Sequence, residues 1–235
     1  MYQKNARYYD TLYSWKDYED ETRRLMEFIQ AHAQRPVQTL LDVACGTGAH
    51  LAHLQNYFKV EGVDIEPAML KVARERLPGV TLREGDMVAF DPGSTFDVVT
   101  CLFGSIGYVQ TVERLNLAVA NMARHANPGG LVIVEPWFAP DRFQAGTVHS
   151  IFIERPDLRI ARMNVSAIEN GLSILHFHYM VGTPEGIEHW EDRHEMGLFT
   201  HEEYTQAFQA ARLDVSHDEL GLMNRGLYIG LKRET

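Results

Sequence analysis

The chain lacks the features typical of secreted, membrane-spanning or nucleic-acid-binding proteins. Its 235 residues include two cysteines, Cys45 and Cys101, too few for a disulfide framework or a four-cysteine zinc site. The chain has fewer basic than acidic residues: 22 Lys and Arg compared with 32 Asp and Glu, which gives a net charge of −10. This balance disfavours nucleic acid as a partner. Apolar runs are too short to span a bilayer, and residues 1–15 have no signal-peptide core. We therefore expect a cytoplasmic protein with a small-molecule partner.

Short apolar runs alternate with helical patterns along residues 1–146. Each run has the length of a buried strand, and most are followed by apolar residues at helical spacing. Strands that alternate with helices predict a parallel sheet covered on both faces, so the expected fold class is α/β with a doubly wound sheet. The expected strands are Gln38–Ala44, Val60–Ile65, Val80–Arg83, Phe96–Phe103 and Gly130–Glu135, and the expected helices are Trp15–Ala33, Ala49–Asn56, Val112–His125 and one from Pro67 to Pro78-Gly79.

The pattern changes near Thr147. From Thr147 to Leu198 apolar and polar residues alternate, and Asn170-Gly171 is a strong hairpin signal, so we expect an antiparallel β insertion. A capping box at Thr200–Glu203 predicts a helix, and two further strands then return to the main sheet. The expected domains are an N-terminal flap with the core (1–146), the insertion (147–198) and a segment that completes the core (199–235).

A glycine turn between a strand and a helix is the main chemical signal. Gly46 and Gly48 would let a ligand approach the backbone and the N–H groups at the helix start. Asp64, at the end of the next strand, suits the two hydroxyls of a ribose. An NAD-dependent reductase also fits these residues, but Leu51 stands where the dinucleotide pattern requires a small residue. Asp86 offers a second acidic site after the third strand.

These segments resemble the class I S-adenosylmethionine (SAM)-dependent methyltransferases. The matching segments are Leu41–Gly48, Gly62–Asp64, Gly85–Met87, Phe96–Val99 and Asn127–Gly130. The resemblance implies a Rossmann-like sheet with SAM as cofactor. It places Ala44, Gly46 and Gly48 against the methionine part of SAM, Asp64 at the ribose, Asp86 and Met87 at the adenine, and Leu102 in the same pocket, with Ile65 as a further cofactor contact.

A closer resemblance runs nearly end to end, to the TDP-3-amino-deoxyhexose N,N-dimethyltransferases. It is carried by Tyr9–Tyr13, Lys16–Tyr18, Val43–Gly48, Thr100–Cys101, Ser105–Gly107, Val134–Trp137 and Arg225–Gly230. It implies N-methylation of a nucleotide-linked amino-deoxysugar, with Tyr13 facing the amine as the catalytic residue and Tyr18 touching SAM. Trp137 and Phe138 would form a substrate wall, and Arg225 or Arg142 would meet the phosphates. The chain departs from that family at Tyr108, where histidine is frequent, at Ala139 and at Met223-Asn224.

Several alternatives stay open at this point. An O- or C-methyltransferase acting on another metabolite, or a SAM- or nucleotide-binding regulator without turnover, would share the same core. His176 and His178 point to one face of a strand, but no carboxylate or cysteine pattern completes a ligand set, so no metal is expected. The insertion has two faces to cover, which predicts a substrate cover and a possible homodimer contact.

Overall fold

The computed structural model describes residues 6–234; residues 1–5 of the expected flap, and Thr235, lie outside the described part. Eleven strands and six α-helices are described there, together with a 3-10 helix at Ser105–Val109. The helices are α1 (Tyr9–Leu12), α2 (Tyr18–His32), α3 (Ala49–Leu54), α4 (Pro67–Arg76), α5 (Val112–His125) and α6 (His201–Ala210). The strands are β1 (Thr39–Val43), β2 (Lys59–Asp64), β3 (Thr81–Glu84), β4 (Phe96–Cys101), β5 (Ala126–Val134), β6 (Val148–Arg155), β7 (Leu158–Glu169), β8 (Leu172–Thr183), β9 (Gly186–Gly197), β10 (Leu213–Asp218) and β11 (Leu227–Lys232).

The main sheet has seven strands in the order β10-β11-β5-β4-β1-β2-β3. Strands β1 to β5 are parallel, whereas β11 runs antiparallel to both β5 and β10. The chain moves outward from β1 to β3, then returns to β4 on the other side of β1. This reversal opens a crevice at the carboxyl ends of β1 and β4, where doubly wound sheets bind their ligands.

Helices cover both faces of this sheet, which confirms the expected α/β, doubly wound fold. On one face, α5 and α6 pack with residues such as Val119 and Phe208, both fully buried. On the other face, α2, α3 and α4 pack with residues such as Leu25 and Leu70. Because both faces are covered, the central strands carry continuous apolar runs, and this is why they could be predicted from the sequence.

The insertion forms a separate antiparallel sheet in the order β6-β7-β8-β9. Asn170 and Gly171 both have positive φ, 51° and 80°, and join the directly paired Glu169 and Leu172, as the hairpin signal predicts. The inner face carries Phe177 and Tyr179, which pack against the N-terminal flap. The opposite face, called here the outer face, exposes Val148, Phe152, Met163, Val165 and Met180.

Some predicted boundaries move, and two short helices were not predicted. Helix α2 begins at Tyr18 rather than Trp15 because the Asp17 side chain accepts the Asp20 backbone N–H and caps the helix there. Strand β5 begins at Ala126 rather than Gly130. Its first residues pair with β4 in a different register, which shifts between Phe96 and Val98 of β4. Helix α1 and the 3-10 helix are too short to give a periodic pattern.

Within residues 6–234, no helix is both long and apolar enough to cross a membrane.

Candidate active site

The loop after β1 lies at the crevice in a left-handed backbone conformation. Ala44, Gly46 and Gly48 have φ of 58°, 56° and 74°. The φ of Gly48 favours glycine, and the packing there is close, since a Cβ would lie 2.7 Å from the Cδ1 of Leu77, the residue after α4. A Cβ at Gly46 would meet nothing within 4 Å. Gly46 therefore faces open space, as expected for a backbone segment that a ligand approaches.

Asp64 ends β2 beside this loop. One carboxylate oxygen accepts the Gly46 N–H at 2.7 Å and the other accepts the Glu66 N–H at 2.8 Å. The residue is 8 % exposed, and burial raises the pKa of its carboxyl group. Each oxygen keeps a lone pair, so the carboxylate is held in place yet can still accept hydrogen bonds from a diol. Ile65 follows it and is exposed.

Asp86 and Met87 follow β3 at the same edge. One oxygen of Asp86 accepts the Val88 N–H at 3.1 Å, and the other lies 2.9 Å from Nη2 of Arg114. Met87 is half-buried against the core on the α5 side. Leu102, after β4, is 4 % exposed and belongs to the opposite core cluster. The structure thus brings the ends of β1, β2, β3 and β4 to one crevice.

The N-terminal flap is fastened over the glycine loop through Asp10. The Thr47 hydroxyl donates to Asp10 at 2.7 Å, and Arg76 pairs with the second Asp10 oxygen while also binding the Thr47 carbonyl. Further along, the Tyr18 ring meets His50 edge-on, at 4.9 Å between ring centroids. The tyrosine-rich start of the chain therefore covers the crevice.

Lys16 is a buried cation that sequence reasoning left without a role. It pairs with Glu21, which also lies 2.9 Å from Nε2 of His50. Its ammonium lies 4.4 Å from the ring centroid of Phe103 and 4.7 Å from that of Tyr18. Burial lowers the pKa of Lys16. The available signal was its place in the Lys16–Tyr18 segment that carries the resemblance.

Arg225 reaches the site from the loop before β11 and is not a surface residue. Its Nη2 lies 3.0 Å from Oε1 of Glu135, and the two side chains are 8 % and 0 % exposed. The guanidinium also lies 5.2 Å from the ring centroid of Phe103 and 5.7 Å from that of Trp137. Trp137 in turn donates to the hydroxyl of Ser173 at 2.9 Å, which links the main sheet to the insertion.

A cavity of about 660 Å³ lies between the crevice, the flap and the inner face of the insertion. Three arginines line it, Arg142, Arg162 and Arg225, whereas no Asp or Glu is among the described residues of its wall. The Tyr13 hydroxyl accepts from Nη1 of Arg162 at 3.2 Å. The aromatic part of the wall consists of Tyr9, Tyr13, Trp15, Phe103, Tyr108, Trp137, Phe138, Phe143, Phe177 and Tyr179.

Sequence reasoning missed Arg162, although a signal was present. Arg162 lies on β7 between Ile160 and Asn164, on the buried side of an alternating strand. A charged residue at an inward position of such a strand is unusual unless it serves a site. Its guanidinium lies over Phe177 at 4.7 Å, and the described residues offer it no carboxylate partner.

Comparisons with known proteins agree with this geometry. Residues 40–130 match a methyltransferase domain family. The chain is 39 % identical to the dTDP-3-amino-3,4,6-trideoxy-alpha-D-glucopyranose N,N-dimethyltransferase of Streptomyces venezuelae, covering 97 % of each chain. It is 36 % identical to the dTDP-4-amino-2,3,4,6-tetradeoxy-D-glucose N,N-dimethyltransferase of Saccharopolyspora spinosa, over 97 % of this chain and 92 % of the other. The SAM-bound structure of CalS10, an amino pentose methyltransferase from Micromonospora echinaspora, is similar with a TM-score of 0.86 and 39 % identity over 95 % and 96 % of the two chains.

The chain belongs to the nucleotide-sugar N,N-dimethyltransferases. The methyltransferase is therefore a SAM-dependent enzyme with a Rossmann-like core, as the sequence predicts. The alternatives of an NAD-dependent reductase and of a regulator without turnover are wrong. The residues present also fit SAM, because Asp64 keeps acceptor capacity for a ribose and Gly46 leaves its backbone open.

A histidine cluster of the methyltransferase lies away from the cavity, on the outer face of the insertion. His176 and His178 are joined there by Glu191 of β9, at 2.8 Å from Nε2 of His176 and 3.4 Å from Nδ1 of His178. The sequence pattern showed no such carboxylate, because Glu191 reaches His178 by cross-strand pairing. The three side chains could hold a metal ion, but none of them lines the cavity.

Proposed function

We propose that the methyltransferase acts on the amino group of a nucleotide-linked amino-deoxysugar. One observation carries the proposal: a chain with a net charge of −10 has a large cavity lined by three arginines, with no carboxylate among its described lining residues. Glu135 pairs with Arg225 from behind the wall, whereas Arg142 and Arg162 have no ion pair among the described residues. Such a concentration of cations favours an anionic ligand over a neutral metabolite. A diphosphate supplies that anion, and the aromatic wall suits the sugar and the base. The substrates named for the relatives support this choice.

The cavity residues divide into three roles in this proposal. Arg142, Arg162 and Arg225 bind the diphosphate. Trp137 and Phe138 pack against the sugar, and Tyr13 faces the amine. On the cofactor side, the resemblance and the crevice geometry together support SAM contacts from Tyr18, Ala44, Gly46, Gly48, Asp64, Ile65, Asp86, Met87 and Leu102.

The reaction requires alignment more than acid–base chemistry. When bound, SAM supplies a methyl group whose carbon–sulfur bond breaks, leaving its electron pair on sulfur, as the amine lone pair forms the new carbon–nitrogen bond. The cavity residues hold the amine in line with that methyl group and exclude water, which supplies most of the acceleration. A cationic wall also disfavours the ammonium form of the substrate and so favours the neutral, nucleophilic amine.

Labelled SAM with TDP-3-amino- and TDP-4-amino-deoxyhexoses, analysed by mass spectrometry, tests the proposal. We expect label on nitrogen of at least one such sugar. If a phenol, acid or other metabolite gains the methyl group and no amino sugar does, the acceptor assignment is wrong and the O- or C-methyltransferase alternative is favoured.

The insertion, residues 147–198 of the expected domain division, is proposed as the substrate cover and as a homodimer contact. The outer face carries the exposed apolar side chains of Val148, Phe152, Met163 and Val165 on its β6–β7 half, and a second copy would remove them from water. Light scattering should give the molar mass of two chains for the parent protein. For Phe152→Lys, which places a charge on the outer face, it should give the molar mass of one chain. A strict monomer at micromolar concentration contradicts the dimer.

A cytoplasmic location and the lack of a nucleic-acid partner stay predictions from the sequence.

A further inference from the structure

The histidine cluster on the outer face of the insertion brings three metal-binding side chains together. Nε2 of His176 lies 2.8 Å from Oε2 of Glu191, and Nδ1 of His178 lies 3.4 Å from Oε1 of the same carboxylate. One ligand atom from each of the three residues lies within 4.8 Å of the other two. Two ring nitrogens and a carboxylate oxygen therefore converge at distances that one metal ion can span.

Strand pairing sets the spacing of these ligands. His176 and His178 are two residues apart on β8, so their side chains point to the same face of the sheet. Strand β9 runs antiparallel to β8 with Glu191 directly opposite His178, which places the carboxylate beside both rings. The three side chains thus stand on two paired strands rather than on a flexible loop.

The charges around the cluster leave Glu191 available as a ligand. Arg193, on the same face of β9, lies 2.6 Å from a carboxylate oxygen of Glu169 and 2.8 Å from one of Glu195. Its charge is therefore balanced by carboxylates outside the cluster. In the described part of the chain, Glu191 pairs with the two histidines and with no lysine or arginine.

The neighbouring side chains add no competing charge on the β7 side and pack beside the rings on the β9 side. The β7 residues opposite His178 and His176 are Met163 and Val165. The ring of His189, on β9, is nearly parallel to that of His178, with 6.1 Å between the ring centroids. The centroids of His176 and His178 are 4.7 Å apart. The two rings thus lie side by side with their nitrogens towards one carboxylate.

The ligand types select a zinc-like ion. Imidazole nitrogen together with carboxylate oxygen suits Zn²⁺, whereas Mg²⁺ and Ca²⁺ prefer oxygen ligands alone. Zn²⁺ binds nitrogen and oxygen at about 2.0–2.2 Å, so its tetrahedral ligands lie about 3.3–3.5 Å apart. The pair of His178 with Glu191 already has this separation. The pair of His176 with Glu191 has to open by about 0.5 Å, which half-exposed side chains allow.

We propose that His176, His178 and Glu191 form a Zn²⁺ site that joins β8 to β9. Each ring binds through the nitrogen that faces Glu191 and keeps its proton on the other ring nitrogen. The side chains are 43 %, 46 % and 48 % exposed, so water completes the coordination. The site is structural, because none of its residues lines the cavity. No metal was expected from the sequence because no carboxylate completed the ligand set, and strand pairing supplies that carboxylate.

Isothermal titration calorimetry with ZnCl₂ on chelator-treated, dialysed enzyme tests the site. We expect one ion per chain at the cluster, and no saturable binding of MgCl₂ over the same concentrations. His176→Gln, His178→Gln and Glu191→Gln should each weaken zinc binding by more than about 100-fold, because losing a residue that only orients a ligand already costs about 10- to 100-fold. The matched control is His53→Gln, at a half-buried position of α3, which should bind zinc like the parent.

Thermal unfolding gives an independent readout. An ion that binds only the folded chain, present at 100 times its Kd, should lower the equilibrium constant for unfolding about 100-fold. The melting temperature of the parent should therefore rise with ZnCl₂, and that of the double variant His176→Gln/His178→Gln should not. Circular dichroism in EDTA checks that each variant is folded, and a variant that is not folded leaves the decision to the others.

The outcomes separate the site from general binding of zinc to surface histidines. Loss of binding in the three cluster variants, with His53→Gln unchanged, supports the site. No saturable zinc binding by the parent, or equal binding by the parent and the double variant, overturns it. Parent-like binding by Glu191→Gln also overturns it, since the carboxylate would then not be a ligand. Ions are counted per chain, so the result does not depend on whether the protein is a monomer or a dimer.

Discussion

Arg225 and Glu135 form a buried ion pair, 3.0 Å from Nη2 to Oε1, which joins the loop before β11 to the end of β5. The other Glu135 oxygen accepts the backbone N–H of Phe103 at 2.6 Å. One carboxylate thus fixes three segments around the cavity. The position of Arg225 depends on Glu135, which no pattern in the sequence connects to it.

Arg225→Ala should affect folding as well as substrate binding. It leaves Glu135 buried without its cation, so we expect the free energy of unfolding to fall by about 3–5 kcal/mol, and KM for the sugar to rise more than kcat falls. Urea denaturation and steady-state kinetics measure the two effects. The double variant Arg225→Ala/Glu135→Gln should recover part of the stability but not the KM. An Arg225→Ala protein as stable as the parent contradicts the role of the pair.

Asp64→Ala should weaken SAM binding by about 1.5–3 kcal/mol, or about 10- to 150-fold in Kd, because hydrogen bonds to a charged group are lost. Isothermal titration calorimetry measures it directly. Glu75→Ala, at an exposed position of α4, is the matched control and should bind SAM like the parent. An unchanged Kd for Asp64→Ala would show that the carboxylate does not face the ribose.

Asp10→Ala should loosen the flap. It removes the hydrogen bond from Thr47 and the pair with Arg76, so trypsin should cut faster after Arg7, and Kd for SAM should rise about two- to five-fold, the scale of an exposed ion pair. Asp20→Ala removes a surface pair with Arg23 and serves as control. Equal cleavage rates for parent and Asp10→Ala would mean that Asp10 does not fasten the flap.

Asp42 provides a prediction for pH dependence. Its carboxyl is buried and accepts from the Thr100 hydroxyl at 2.7 Å, and burial raises its pKa to about 6. Since the unfolded value is about 3.9, the folded state favours the protonated form, so stability falls as the pH rises from about 4 to 6 and stays at the lower level above that. Asp42→Asn should therefore increase the free energy of unfolding by up to about 3 kcal/mol near pH 7. The gain should vanish as the pH falls towards 4, and a gain independent of pH would contradict the assignment.

Chelation should leave the activity unchanged. The cluster of His176, His178 and Glu191 lies on the outer face, away from the cavity wall, so a metal held there would not reach the reacting atoms. Activity after EDTA treatment and dialysis should match the untreated enzyme. Activity lost to the chelator and restored by zinc or magnesium would favour a metal-assisted O-methyltransferase.

Local signals in the sequence predicted most of the fold. The apolar runs of β1, β2, β3 and β4, the hairpin at Asn170-Gly171 and the capping box at Thr200–Glu203 occur where they were expected. The crevice followed from the same signals, because the carboxyl ends of neighbouring parallel strands meet at one edge. Helix α1 and the 3-10 helix gave no signal, since both are shorter than the period that reveals a helix.

Tertiary structure decided the contacts between distant side chains of the cavity. Residue types and spacing determined the doubly wound core, the glycine loop and Asp64, since these depend on contacts between neighbours in sequence. The pair of Arg225 with Glu135 depends on how the loop before β11 folds against the end of β5. The place of Arg162 beside Tyr13 and the contact of Tyr108 with His194 depend on how the insertion packs on the flap and the main sheet. That packing is set by long-range burial of apolar surface, which is non-directional. The periodicity of a segment therefore shows which of its faces is buried but not which other segment covers that face.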